Sequence, residues 1–250
     1  MKAMILAAGK GTRLRPLTNY HPKALIKAGD YPLLEIVISQ LIHYGVDEVV
    51  INLHHFGEQI RQFLEKKNNF GITIHLSDEQ DLLLDTGGAL KRARPFLEGD
   101  DPFILCNTDI LTDTNIRALH DFHNQSGSIA SLAVRSRDTS RYLLANEEMK
   151  LAGWCNVKDH IIKTCKTGPG NLEMLAFSGI HIISPKIFSF MPPQDVFSII
   201  DVYLQIAREH DINLIRHDED QWMDVGTPEK LSRAIPLVES LMSKTEVQNS

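Results

Sequence analysis

A glycine pair, four cations and two distant aspartates are the residues here whose types and spacing could do chemistry. Gly9-Lys10-Gly11-Thr12-Arg13 follows the apolar run Met4-Ile5-Leu6-Ala7-Ala8, and Arg15 and Lys23 come soon after. Glycines at 9 and 11 admit positive φ and let a ligand approach bare backbone N–H groups. Residues 1–29 contain six Lys or Arg and no Asp or Glu, a local charge of +6. The whole chain carries −6, so residues 30–250 sum to −12. A basic, glycine-rich loop at the end of a first strand in an acidic protein suits an anion of several charges, such as a nucleoside triphosphate. Taken alone, the loop fits a structural turn equally well. Two nucleotide motifs fail on spacing: no third glycine completes G-x-G-x-x-G, and no G-x-x-x-x-G-K-[ST] is present.

The aspartates are Asp109, in Asn107-Thr108-Asp109, and Asp224, in Trp222-Met223-Asp224-Val225-Gly226-Thr227. Either one alone is readable as a turn or helix cap.

Alternating elements must position these residues. Residues 3–8, 48–53, 72–76 and 103–106 read as strands. Residues 32–44, 56–67, 87–97 (interrupted at Pro95) and 114–123 carry helical apolar stripes. That β-α-β alternation predicts an α/β fold with a mostly parallel sheet and helices on both faces. Ligands then lie beyond the carboxyl ends of strands, where both the glycine loop and Asp109 fall. The second half reads as strands over 128–134, 142–145, 151–154 and 174–183, with helices over 197–209 and 228–242. One domain over 1–242 is expected, with 243–250 as a frayed tail.

Composition narrows the classes. The chain is 43% apolar and 23% charged, ordinary for a soluble globular protein. Cys106, Cys155 and Cys165 are odd in number and form no C-x-x-C pair, which fits a reducing, cytoplasmic setting. No apolar stretch has the length of a membrane span or signal peptide, and the acidic balance argues against nucleic acid as a partner. The histidines, including His54-His55, lack metal-ligand spacing. No linker, internal repeat or low-complexity tract stands out, and the oligomeric state is not legible.

Leu6-Ala7-Ala8-Gly9-Lys10-Gly11-Thr12-Arg13-Leu14, with Pro16-Leu17-Thr18 and Pro22-Lys23-Ala24-Leu25, resembles the signature of the sugar-1-phosphate nucleotidyltransferases. The resemblance continues at Thr86-Gly87-Gly88-Ala89, Asn107-Thr108-Asp109, Phe177-Ser178-Gly179 and the segment 222–227, so it spans almost the whole chain. It is strongest to short single-domain members such as the N-acetylmuramate-1-phosphate uridylyltransferases. It implies the Rossmann-like nucleotide-diphospho-sugar transferase fold, with inserted strands on the sugar side and no appended left-handed β-helix.

The resemblance further implies transfer of a nucleotidyl group from a nucleoside triphosphate, with UTP favoured, to a sugar 1-phosphate. The alternatives are GTP-dependent guanylyl transfer to mannose 1-phosphate and a non-catalytic nucleotide-sugar sensor. The attacking phosphate oxygen is already an anion, so the site must chiefly join two anions and stabilise the leaving pyrophosphate. By resemblance, Arg13, Lys23 and Asp109 are catalytic. Ala7, Ala8, Gly9, Gly11, Thr12, Arg13, Gly87 and Gly88 hold the nucleotide. Lys23, Asn156, Ser178 and Gly179 face the sugar phosphate, and Asp109 and Asp224 share a catalytic Mg²⁺. Thr108 replaces the family's commoner glycine and is expected to narrow the approach to the sugar.

Overall fold

The computed structural model describes residues 1–79, 82–165 and 170–246. In chain order the elements are β1 (Lys2–Leu6), β2 (Lys27–Ala28), β3 (Tyr31–Pro32), α1 (Leu33–His43), β4 (Glu48–Leu53), α2 (Gly57–Lys66), β5 (Thr73–Asp78), α3 (Asp85–Leu97), β6 (Phe103–Asn107), β7 (Ile110–Thr112) and α4 (Ile116–Ser126). They continue with β8 (Ala130–Arg135), β9 (Arg141–Ala145), β10 (Leu151–Asn156), β11 (Ile161–Thr164), β12 (Glu173–Ile183), α5 (Ile199–Ile206), β13 (Ile212–Arg216), β14 (Trp222–Asp224), α6 (Pro228–Arg233) and α7 (Ile235–Glu246). The chain forms two compact units.

The first unit comprises Met1–Leu83, Leu105–Arg117 and Asp220–Ser250. Its strands run in the order β6-β1-β4-β5, and β1, β4 and β5 are mutually parallel. Ala3, Met4 and Ile5 of β1 and Val49 and Ile51 of β4 are fully buried, as expected for parallel strands. A core cluster joins Leu14, Leu33, Ile36, Leu111, Val225 and Val238, so it gathers residues from the N-terminal loop, α1, β7, the turn after β14, and α7. Several of these anchors are sequence neighbours of the charged candidates. Leu14 follows Arg13, and Val225 follows Asp224. Each buried side chain fixes the backbone from which its polar neighbour projects.

The second unit comprises Leu84–Ile104 and Ala118–Glu219. Its long strand β12 pairs antiparallel with β9 through Glu173–Leu175 and with β8 through Ala176–Ile183. β13 runs parallel to β8, and β10 lies antiparallel between β9 and β11. The register of β12 against β8 shifts between Phe177 and His181, at the Ser178-Gly179 step, where Gly179 has φ +79.

Two helices differ from the sequence expectation. The stripe expected over 228–242 breaks at Ala234 into α6 and α7, because Pro236 has no N–H to give the carbonyl of Ser232. α7 also continues to Glu246, past the point at which fraying is expected. α3 runs through Pro95 and ends two residues later, at Leu97, instead of being interrupted at the proline. Six short strands, β2, β3, β7, β11, β13 and β14, add to the sequence reading.

Candidate active site

The glycine loop starts where β1 ends, and its first two amides are already committed. Asn52 Oδ1 accepts from Ala7 N at 2.6 Å and Ala8 N at 3.3 Å. Asn52 Nδ2 in turn donates to Glu79 Oε1 at 2.8 Å, and both side chains are buried. Ala7 and Ala8 are thus placed as the foot of the loop, and the ligand-facing part begins at Gly9. Asn52 interrupts the apolar run Val49-Val50-Ile51-Asn52-Leu53, the one sequence signal that could have revealed this support.

Gly11 has φ +59, and an added Cβ would stand 3.0 Å from Lys23 Cβ and 2.9 Å from Thr18 Cγ2. The Gly11 carbonyl accepts from Leu14 N and from Thr18 Oγ1, both at 2.9 Å. The next residues make a tight turn, Thr12–Leu14, that buries Leu14 and leaves Arg13 pointing outward.

The two aspartates, 115 positions apart, are brought together by the antiparallel pair β7–β14. Asp224 pairs with Ile110, and the Asp109 carbonyl accepts from Val225 N at 2.9 Å. The far end of this two-stranded ribbon is closed by Thr112 Oγ1, which donates to the Gln221 carbonyl at 2.6 Å. Gln40 of α1 donates to the Thr112 carbonyl at 2.5 Å and ties the ribbon to the core.

Each carboxylate carries cations. Lys23 Nζ donates to Asp109 Oδ2. Arg13 Nη1 and Lys230 Nζ stand 3.9 and 3.6 Å from Asp224 Oδ2, while Gly226 N donates to Oδ1 at 2.9 Å. A Cβ at Gly226 would lie 2.6 Å from Arg13 Nη2 and 2.8 Å from Asp224 Oδ1, so a side chain there would push the Arg13 guanidinium and the carboxylate aside. Three cations thus face two carboxylates, a net +1 before any substrate arrives. Sequence reasoning missed Lys230, which stands in α6 beyond the motif that drew attention to Asp224.

Thr108 corrects an expectation. Its buried hydroxyl donates to the Leu6 carbonyl at 2.6 Å, and its amide points at the same oxygen at 3.4 Å. The extra side chain binds the Asp109 turn to the end of β1 instead of narrowing an approach to a sugar.

In the second unit Thr86-Gly87-Gly88 is a joint between α3 and the segment that enters α5. Gly87 N and Gly88 N both donate to the Phe197 carbonyl, at 2.9 and 3.3 Å, and Thr86 Oγ1 accepts from Ile199 N at 3.0 Å. A Cβ at Gly87 would overlap the Phe197 ring, and one at Gly88 would overlap the Asp195 carbonyl oxygen. Both amides of this segment, which the resemblance assigns to nucleotide binding, are therefore held by the Phe197 carbonyl. Ser178 is buried, with Oγ 2.6 Å from His217 Nε2. Asn156 accepts from Lys158 N at 3.1 Å and donates to Asp159 at 2.6 Å, closing the β10–β11 turn.

A cavity of about 430 Å³ in the second unit is walled by Arg137, Arg141, Tyr142, Trp154, Phe177 and Lys163, among others. Lys163 pairs with Asp201 at 2.8 Å, and Arg137 donates to the Phe177 carbonyl at 3.1 Å.

Other reactive groups lie in the core. Burial pushes the Cys106 thiol up to about 12 and holds His181 down to about 3, so neither supplies a thiolate or an imidazolium near neutral pH. Among the described residues, no group of three or more His, Cys, Asp or Glu is placed to hold a metal. No helix among them is long and apolar enough to cross a membrane.

Residues 2–240 match the family described as nucleotidyl transferase. An N-acetylmuramate alpha-1-phosphate uridylyltransferase of Neisseria meningitidis is 32% identical over 94% of this chain and 96% of its own length. A mannose-1-phosphate guanyltransferase of Debaryomyces hansenii is 30% identical over 98% of this chain and 67% of its own length. Among solved structures, the inositol-1-phosphate CTP transferase of T. maritima superposes with a TM-score of 0.76 at 18% identity, covering 96% of this chain and 95% of that one. At that identity the likeness is one of fold.

Proposed function

Because the chain belongs to the nucleotidyl transferase family, we propose that it transfers a uridylyl group from UTP to a sugar 1-phosphate in the cytoplasm, releasing pyrophosphate. One observation carries the reading. In the β7–β14 ribbon Asp224 pairs with Ile110 and the Asp109 carbonyl accepts from Val225 N, so the two aspartates are one register step apart, each with a cation of the N-terminal loop against its carboxylate. UTP is favoured over GTP because a relative of matching length, covered over 96% of it, is a uridylyltransferase.

Arg13 binds the terminal phosphates of the triphosphate, where its planar fork matches paired oxygens. Gly9, Gly11 and Thr12 line the approach to the nucleotide, and Ala7 and Ala8 position them through Asn52. Lys23 serves the phosphate that attacks, as a point charge on a short tether to Asp109. With no general base required, the protein's work is to hold two anions in line and to stabilise charge on the leaving pyrophosphate. Taken by itself, the second unit's cavity beside Phe177, with Tyr142 and Trp154 as apolar walls, has a volume and lining that suit a sugar ring.

The donor set fits magnesium. Two carboxylates on adjoining strand ends offer hard oxygen ligands, and phosphate oxygens and water complete such shells. Asp109 and Asp224 would hold the ion, which when bound offsets repulsion between the two anionic reactants.

The test is pyrophosphate release from UTP, GTP, CTP, ATP and dTTP against a panel of sugar 1-phosphates, with magnesium titrated. UTP is expected to support turnover, and Asp109→Asn and Asp224→Asn each to abolish most of it. The double variant is expected to be little worse than either single variant, since both act through one ion. Turnover with GTP and mannose 1-phosphate alone would reassign the enzyme. An Asp224→Asn variant with full activity and unchanged magnesium dependence would leave Asp224 as a cap only.

A further inference from the structure

Lys230 is absent from the machinery assigned above, yet its ammonium shares one oxygen of Asp224 with Arg13. The two cations stand 3.6 and 3.9 Å from Oδ2, beyond hydrogen-bond length, so neither is committed to that carboxylate. Lys23 differs: it is hydrogen-bonded to Asp109 and only 16% exposed. Lys230 is 44% exposed, so water reaches its ammonium and another anion can too.

The framework around Lys230 is rigid. Its amide donates to Thr227 Oγ1 at 3.4 Å, its carbonyl accepts from Ala234 N at 3.0 Å, and its neighbour Leu231 is buried in the core cluster. Its acidic neighbour Glu229 is turned to Arg233, 3.9 Å away, and does not hold it. Asp224 is equally fixed, because Gly226 N holds its other oxygen. Two fixed backbones and one loose, flexible ammonium describe a cation that can change partners without refolding anything.

We propose that Lys230 is a binding residue for the terminal phosphates of the triphosphate and therefore for the pyrophosphate product. This rests on the nucleotidyl-transfer reading of the same site. A polyphosphate carries several charges where Asp224 carries one, and three cations against two carboxylates leave the site one positive charge in surplus. Lys230 leaves the shared carboxylate for the polyphosphate and returns when it departs. Arg13, with its rigid fork, orients the same phosphates. Lys230 adds charge without fixing direction.

The experiment compares wild type, Lys230→Met and Lys230→Arg by calorimetric titration with inorganic pyrophosphate and with uridine monophosphate, without divalent metal, alongside steady-state kinetics with UTP. Lys230→Met is expected to weaken pyrophosphate binding about tenfold and to raise KM for UTP by a similar factor, with kcat changed less. Binding of uridine monophosphate, which lacks the terminal phosphates, is expected to stay within twofold, and Lys230→Arg to restore most of the loss. Unchanged pyrophosphate affinity in Lys230→Met would overturn the proposal and leave Lys230 as a partner of Asp224 alone. Equal weakening of pyrophosphate and monophosphate would overturn it as well, since that is a general effect of charge. Wild-type protein that neither binds pyrophosphate nor releases it from any triphosphate would instead sink the nucleotidyl-transfer reading itself.

Discussion

Arg13 and Lys23 stand in one loop and differ in what holds them. Arg13 is 61% exposed and touches Asp224 only at 3.9 Å. Its charge adds little to stability, because exposed pairs of this kind are worth about 0–1 kcal/mol. Lys23 is hydrogen-bonded to a carboxylate that is itself 13% exposed. Replacing Lys23 strips a part-buried carboxylate of its donor, a loss on the order of 1–3 kcal/mol. Both substitutions remove a charge-assisted contact to phosphate, and kcat/KM is expected to fall roughly 10²–10³-fold in each. The two variants should separate on thermal melting: Arg13→Ala unchanged, Lys23→Ala lowered by several degrees. Equal melting temperatures would show that the Lys23–Asp109 pair does not contribute to the fold.

At the scale of elements, short strands and tight joints do the positioning. β7 and β14 are three residues each, too brief for any periodicity to reveal, and yet they bring Asp109 to Asp224. The Thr86-Gly87-Gly88 joint has the same character. α3 meets the segment before α5 so closely that the Asp195 carbonyl occupies the place a Gly88 side chain would need. Backbone cannot swing aside as a side-chain tip can. Gly88→Ala is therefore expected to destabilise the protein by about 1–3 kcal/mol, the usual range for overpacking. Urea unfolding measures this directly. An unchanged midpoint would mean that α3 shifts freely on its neighbour and that the glycines are present for another reason.

At the scale of the whole molecule, stability should depend on acid through a buried histidine. His181 Nδ1 lies 2.8 Å from the Tyr203 hydroxyl in the core of the second unit, and burial holds its pKa to about 3 against an ordinary 6.5. The unfolded chain therefore binds a proton at this residue below pH 6.5 while the folded one does not. Stability rises with pH wherever the unfolded state binds more protons, so it is lost as pH falls from 6.5 toward 3. Between pH 7 and pH 5 the loss from His181 is about 2 kcal/mol, from 1.36 kcal/mol per unit over the span below 6.5. His181→Gln keeps a polar partner for Tyr203 and cannot take up that proton. Its unfolding free energy is expected to fall about 2 kcal/mol less than that of wild type over the same range. Parallel pH profiles for the two proteins would show that His181 is protonated in the folded state as well.

The apolar runs at 48–53 and 103–106 and the stripe at 32–44 are local, and burial preserved them as strands and a helix within a residue or two. The sequence by itself therefore determined the α/β alternation. It also determined the basic loop, and the aspartates as candidates through their motifs. Tertiary structure alone decided what each of these residues touches. No spacing indicates that Asn52 takes the Ala7 and Ala8 amides, that Thr108 turns back onto Leu6, or that Lys230 joins Arg13 at Asp224. The physical reason is that helix and strand follow from neighbours a few positions apart. Hydrogen bonds and ion pairs follow from which chain segments the core brings within about 3 Å. Asn52 and Ala7 lie 45 residues apart and Arg13 and Asp224 more than 200, distances over which sequence pattern carries no geometry.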